Sequence, residues 1–141
     1  LEGTPADPKA RRSFDTYEEA LNTMIKETSD KAYAVGHSRE YGAAIFQYPG
    51  DDRYYTNGAE SGEYADGVDY LNRYPSGEEG VVLVAFIHSH LWDRAPNSTP
   101  FNVSDLWYGD QTPDRYVLYK EHVYRLAPGE TDWYKGWTKY R

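Results

Sequence analysis

The sequence has no cysteine, one methionine in 141 residues, and no apolar run longer than Val81–Ile87. Without cysteine there is no disulfide, no thiolate metal ligand and no thiol nucleophile. A zinc nucleobase deaminase is excluded on the same ground, because its signature needs a P-C-x-x-C element. The apolar run is far short of the roughly 20 residues that a membrane-spanning helix requires. Cationic side chains are also scarce: 15 Lys and Arg against 23 Asp and Glu leave a formal charge of −8. A general nucleic-acid binder needs a basic face to displace counterions, so nucleic acid is not the expected partner, whereas a basic protein surface would suit this charge. Internal repeats and low-complexity tracts are absent as well.

What is present is a folded domain. Apolar residues make up 39% of the chain and aromatics 16%, with 15 tyrosines, which is too apolar for a disordered segment and too polar for a membrane protein. The length suits one domain, drawn here as residues 13–141 behind a tail or linker at 1–12 that carries two prolines, a glycine and a basic cluster. The first residue is Leu rather than Met, as expected of a piece of a longer protein or of a processed one.

Along the chain, Asp15 or Thr16 can cap a helix with Glu18 and Glu19 in its first turn, where negative charge suits the helix dipole. Ala20, Leu21, Met24 and Ile25 form its apolar stripe, and the pattern predicts an end near Ser29 or Asp30. Glu40–Tyr48 reads as a strand, Pro49-Gly50-Asp51-Asp52 as a turn and Arg53–Thr56 as the returning strand. Residues 57–79 are rich in Gly, Glu, Asp and Tyr and read mostly as loop, with a short helix expected around Ala65–Leu71. Gly80–His90 is the clearest strand; its unbroken apolar character predicts a central strand covered on both faces. An irregular loop over Leu91–Phe101, a helix start at Asn102, and a hairpin of Arg115–Lys120 with His122–Leu126 follow. Trp133–Tyr140 is expected as an edge strand or an ordered tail. The whole is an α/β pattern: a mixed sheet with a long N-terminal helix on one face and a short helix near residue 105.

His88 and His90 close the central strand. Side chains at i and i+2 of a strand point to the same face, so the two imidazoles form a two-point ligand set. Catalytic zinc usually takes three protein ligands and keeps one position for water. Asp105, one loop later in the first turn of a helix, is the candidate third ligand. Glu40, before Gly42, is the candidate proton shuttle. Plainer readings of the same residues are strand-end histidines, a solvated carboxylate at Glu40, and a helix cap with an acidic third position at Asn102–Asp105. His37 and His122 read as surface or structural, with His37 close in sequence to Glu40.

Taken in order, SREYGAAI (38–45), IHSH (87–90) and FNVSD (101–105), behind the helix FDTYEEAL (14–21), resemble the JAMM (MPN, JAB-like) zinc metallopeptidases. The closer resemblance is to a JAMM-like domain at the C-termini of bacterial Rhs-type polymorphic toxins, and it covers roughly residues 14–128. It implies a cytidine-deaminase-like α/β sandwich, zinc held by His88, His90 and Asp105, and Glu40 as general base. Asn102 stands where the family has its oxyanion serine; its amide can donate to an oxyanion, and Ser104 offers a hydroxyl nearby. The stretch from His90 to Asn102 is longer than in typical members. The resemblance further implies hydrolysis of a peptide, isopeptide or related amide bond, in a secreted toxin or effector acting in a target cell's cytoplasm. A protein or peptide-like substrate and a cognate immunity protein would be its partners, with no nucleic acid and no membrane. A catalytically inactive binding module of the same fold, and a metal-dependent nuclease toxin, are the alternatives.

Overall fold

The computed structural model describes residues 12–62, 74–92, 101 and 112–141. Its strands are β1 (Arg12–Phe14), β2 (Tyr41–Gln47), β3 (Tyr54–Thr56), β4 (Glu60–Ser61), β5 (Val82–Ser89), β6 (Asp114–Tyr119), β7 (His122–Leu126) and β8 (Thr138–Lys139), and its helix is α1 (Tyr17–Ala34). The strands join one open mixed sheet in the order β1-β3-β2-β5-β6-β7-β8, with the short β4 pairing beside β2. β5 and β6 run parallel, and the remaining pairs are antiparallel. The α/β expectation holds at this level.

α1 starts where its capping chemistry places it: the Thr16 hydroxyl accepts from the Glu19 N–H at 3.2 Å, and Glu18 and Glu19 occupy the first turn. The helix runs past the expected end because the buried stripe continues through Thr28 to Ala32, a turn beyond Ser29 and Asp30. It stops by a left-handed turn at Gly36 (φ 64°) and His37 (φ 58°), where the His37 N–H bonds back to the Ala32 carbonyl at 2.8 Å. Two side chains one helical turn apart, Glu27 and Lys31, grip the backbone of Ala59: Glu27 Oε2 accepts its N–H at 2.6 Å, and Lys31 Nζ donates to its carbonyl at 2.6 Å. Gly58, at φ 90°, makes this approach possible, since a Cβ there would sit 3.0 Å from the Glu27 carboxylate.

Alternation along the strands splits the core between the two sheet faces. On one, Leu21, Met24 and Ile25 of α1 pack over Ala43, Ile45, Ala85, Ile87, Tyr116 and Leu118. On the other, Ala44, Phe46, Leu83 and Phe86 pack with Tyr48 and Tyr74. Further along that second face, Val117 and Leu126 pack with Phe101. β5 is therefore covered on both sides, as its apolar run predicts. The β2–β3 and β6–β7 hairpins also appear where expected, the second through a tight turn with positive φ at Lys120 (48°) and Glu121 (70°). The two-residue strand β4 falls in the stretch read as loop; it carries no apolar alternation that could have announced it. The short helices expected at Ala65–Leu71 and after Asn102 lie outside the described residues.

The parallel neighbour β6 is anchored at its first residue. Asp114, buried at 3% exposure, accepts from Tyr17 Oη at 2.5 Å, Tyr116 Oη at 2.8 Å and Arg125 Nε at 2.7 Å. One carboxylate thus ties α1, β6 and β7 together. Burial, then the bond to Asp114, pushes both phenols well above the ordinary tyrosine value.

Candidate metal centre

His88 and His90 are both buried, at 5% and 6% exposure. Their Nε2 atoms lie 3.1 Å apart and their ring centroids 4.9 Å apart, so the strand aims both imidazoles at one point. The backbone beneath them is held from both sides. Gly42 of β2 pairs with His88 on one side and Val117 of β6 pairs with it on the other. Just past the strand, the His90 N–H donates to the Leu118 carbonyl at 2.9 Å, which extends the parallel ladder by one bond. Ser89, between them, points the opposite way and accepts from the Tyr41 N–H at 3.0 Å. That bond locks the end of β2 to the end of β5.

The histidines sit on the face away from α1. Phe86 packs beside His88 with ring centroids 5.6 Å apart. Apolar clusters flank the pair: Ala44, Phe46 and Phe86 toward β2, and Val117, Leu126 and Phe101 toward β7. Glu40 is buried at 5% exposure immediately before β2. It lies two residues before Gly42 and so on the same side of the strand, at the histidine end of the β2–β5 ladder. Glycine at position 42 sets no side chain against His88.

The pair fits zinc as two of its ligands. Two zinc–nitrogen bonds of about 2.0–2.1 Å at a tetrahedral angle hold their nitrogens about 3.3–3.4 Å apart, close to the 3.1 Å found here. Among the described residues no three His, Asp or Glu side chains gather into a set that could hold a metal ion. The expected third ligand, Asp105, and the expected oxyanion donors, Asn102 and Ser104, lie outside the described residues. Their immediate neighbour does not. Phe101 is 1% exposed and packs on Val117, the β6 residue opposite His88. The chain is therefore pinned to the histidine face one residue before Asn102, and the four steps from Phe101 to Asp105 span at most about 14 Å.

Phe101 is a core residue on the histidine face at the end of the expected irregular loop; a single aromatic between Pro100 and Asn102 has no periodicity to mark it as core. His37 lies elsewhere: its ring stacks on Trp92 at 3.6 Å, beside a cavity under α1 on the opposite face. Compared with family models, curated proteins and solved structures, the chain matches none.

Proposed function

We propose that this chain is a zinc-dependent hydrolase of amide bonds (peptide, isopeptide or related), built on a JAMM-type sandwich with its centre at His88 and His90. The observation that carries the reading is the 3.1 Å separation of two buried Nε2 atoms at a strand end. The pinning of Phe101 beside them supports Asp105 as third ligand. Zinc in this position supplies a Lewis acid and brings the pKa of a water toward neutrality. Glu40 takes the proton from the attacking water and hands it to the leaving nitrogen, a role suited to a carboxylate held out of bulk solvent at the edge of the site. Asn102 or Ser104 donates to the oxyanion that forms on the substrate. The apolar walls around Phe86 and Phe101 exclude water and strengthen each of these polar interactions. In this reading the domain acts as a toxin or effector in a target cell, with an immunity protein covering the histidine face.

The same separation favours one other reading, a pair of histidines that share a proton as Nε2–H···Nε2 and play a structural part only. Metal analysis of the purified chain separates the two. The hydrolase reading expects about one zinc per chain, lost in His88→Ala and in His90→Ala and kept in Glu40→Gln. Expression in bacteria then tests catalysis: growth arrest by the wild type should be relieved by Glu40→Gln while the zinc remains. A folded wild-type chain that takes up no zinc at neutral pH overturns the proposal. Equal growth arrest by wild type and Glu40→Gln removes the assigned role of Glu40.

A further inference from the structure

On the face opposite the histidines, between the C-terminal half of α1 and the ends of β5, β6 and β7, lies a cavity of about 160 Å³. It is of the size that accepts a benzene-like body, on the order of 150 Å³. Ile25, Leu118 and Val123 form its apolar floor. Trp92, His37 and Tyr33 form an aromatic wall: Trp92 stacks face to face on His37 at 3.6 Å, and Tyr33 meets His37 edge-on at 5.7 Å. Glu121, in the β6–β7 turn, stands on the rim. Tyr119 and His122 line it as well, and the Lys120 ammonium lies 5.4 Å from the Tyr119 ring centroid; the described lining residues include no lysine and no arginine.

Among the described lining residues, a wall of π-faces with one carboxylate and neither lysine nor arginine favours one kind of guest. Aromatic faces carry negative potential and attract an ammonium group, Trp most strongly. An anionic ligand would meet the Glu121 carboxylate, with no lysine or arginine among the described lining residues to offset it. His37 adds a second observation. Both of its ring nitrogens are shielded from solvent and make no hydrogen bond. Leaving such buried polar atoms unsatisfied is unfavourable. Its burial also holds it below the ordinary histidine value, so the ring is neutral near pH 7 and can accept a hydrogen bond from an N–H donor.

We propose that this cavity binds an aliphatic primary ammonium group, with its alkyl stem on Ile25, Leu118 and Val123 and its charged head held between the aromatic wall and Glu121. The site is separate from the proposed metal centre, since the sheet lies between them, and it stands or falls independently of the zinc reading.

Titration of the whole chain with n-butylammonium, followed by backbone and histidine-ring NMR shifts, tests the assignment. Saturable shifts at His37, Trp92 and Val123 are expected, with a dissociation constant on the order of a millimolar for so small a ligand. Sodium butyrate should produce none. Glu121→Gln, a change in an exposed turn, should weaken binding about threefold, and Trp92→Leu about tenfold. A capped lysine, N-acetyl-lysine amide, separates the two sources of such a group: tighter binding than butylammonium identifies a protein side chain as the guest, weaker binding a free amine. The proposal is overturned if butyrate binds as well as butylammonium, or if Glu121→Gln leaves the affinity unchanged. Should Trp92→Leu fail to fold, Glu121→Gln still decides the matter.

Discussion

Replacing Asp114 by Ala removes one carboxylate from under three donors. Tyr116 Oη is deepest: its residue is 2% exposed, so the hydroxyl has no water to turn to, and an orphaned buried donor costs about 1–3 kcal/mol. Tyr17 Oη, half-buried at the start of α1, loses a 2.5 Å bond to a charged acceptor and recovers part of it from solvent. Arg125, at 38% side-chain exposure, re-solvates at small cost. The loss of the buried carboxylate's own desolvation offsets part of the sum. A net destabilisation of about 1–3 kcal/mol follows, set mainly by the orphaned Tyr116 hydroxyl. For a domain of this size that lowers Tm by roughly 3–10 °C. Urea denaturation followed by tryptophan fluorescence measures it, and the double variant Tyr17→Phe/Asp114→Ala should be clearly non-additive, because the two side chains share one bond. A loss below about 1 kcal/mol, or strict additivity, would mean that Asp114 is not the tie between helix and sheet described above.

Alkaline pH gives a related expectation. Tyr17 and Tyr116 are held above the ordinary phenol value, so the folded state keeps their protons more tightly than the unfolded state does. Their contribution to stability should therefore be constant below about pH 10 and be lost above it; Tyr17→Phe, read by denaturation at pH 8 and pH 10.5, should flatten that fall. At the acidic end, burial pushes the Glu27 carboxyl up, but the Ala59 N–H and Arg12 together outweigh it and hold the group below its ordinary value. The stability it contributes is present above the unfolded pKa near 4.5 and is lost as pH falls through the lower folded value. Glu27→Gln should show a shallower decline between pH 5 and pH 3 than wild type, and an identical slope would refute the assignment.

Much of the sheet was legible because its signals are local. The apolar run before His88, the Pro49-Gly50 turn and the two strand-like runs of Arg115–Leu126 each carry their structure within ten residues or so. The helix end was misplaced because Ser29 and Asp30 look like a stop, whereas Thr28 and Ala32 keep the buried stripe going; tertiary burial outweighed local propensity there. The two histidines were legible as a pair from i, i+2 alternation alone. Their neighbours were not. That Ser89 locks Tyr41, that Gly42 faces His88, and that Phe101 is core all depend on strand register across long sequence separations. The cavity under α1 was invisible for the same reason: His37, Trp92 and Glu121 are brought together only by the sheet.

The parallel seam between β5 and β6 has a consequence for assembly. An antiparallel neighbour can follow its partner after a two-residue turn, as β7 follows β6. Here the chain must travel from residue 90 to residue 113 before β6 can pair with β5. Closing that loop costs about 2 kcal/mol more in chain entropy than a two-residue turn does. Long-range pairings of this kind are the slow contacts of a folding sheet. Glu40, His88 and His90 lie on one side of the seam, and Val117, the seat of Phe101, on the other. The histidine face is thus complete only once the β6–β7 hairpin has docked on β5, so its assembly waits on the slowest pairing of the sheet.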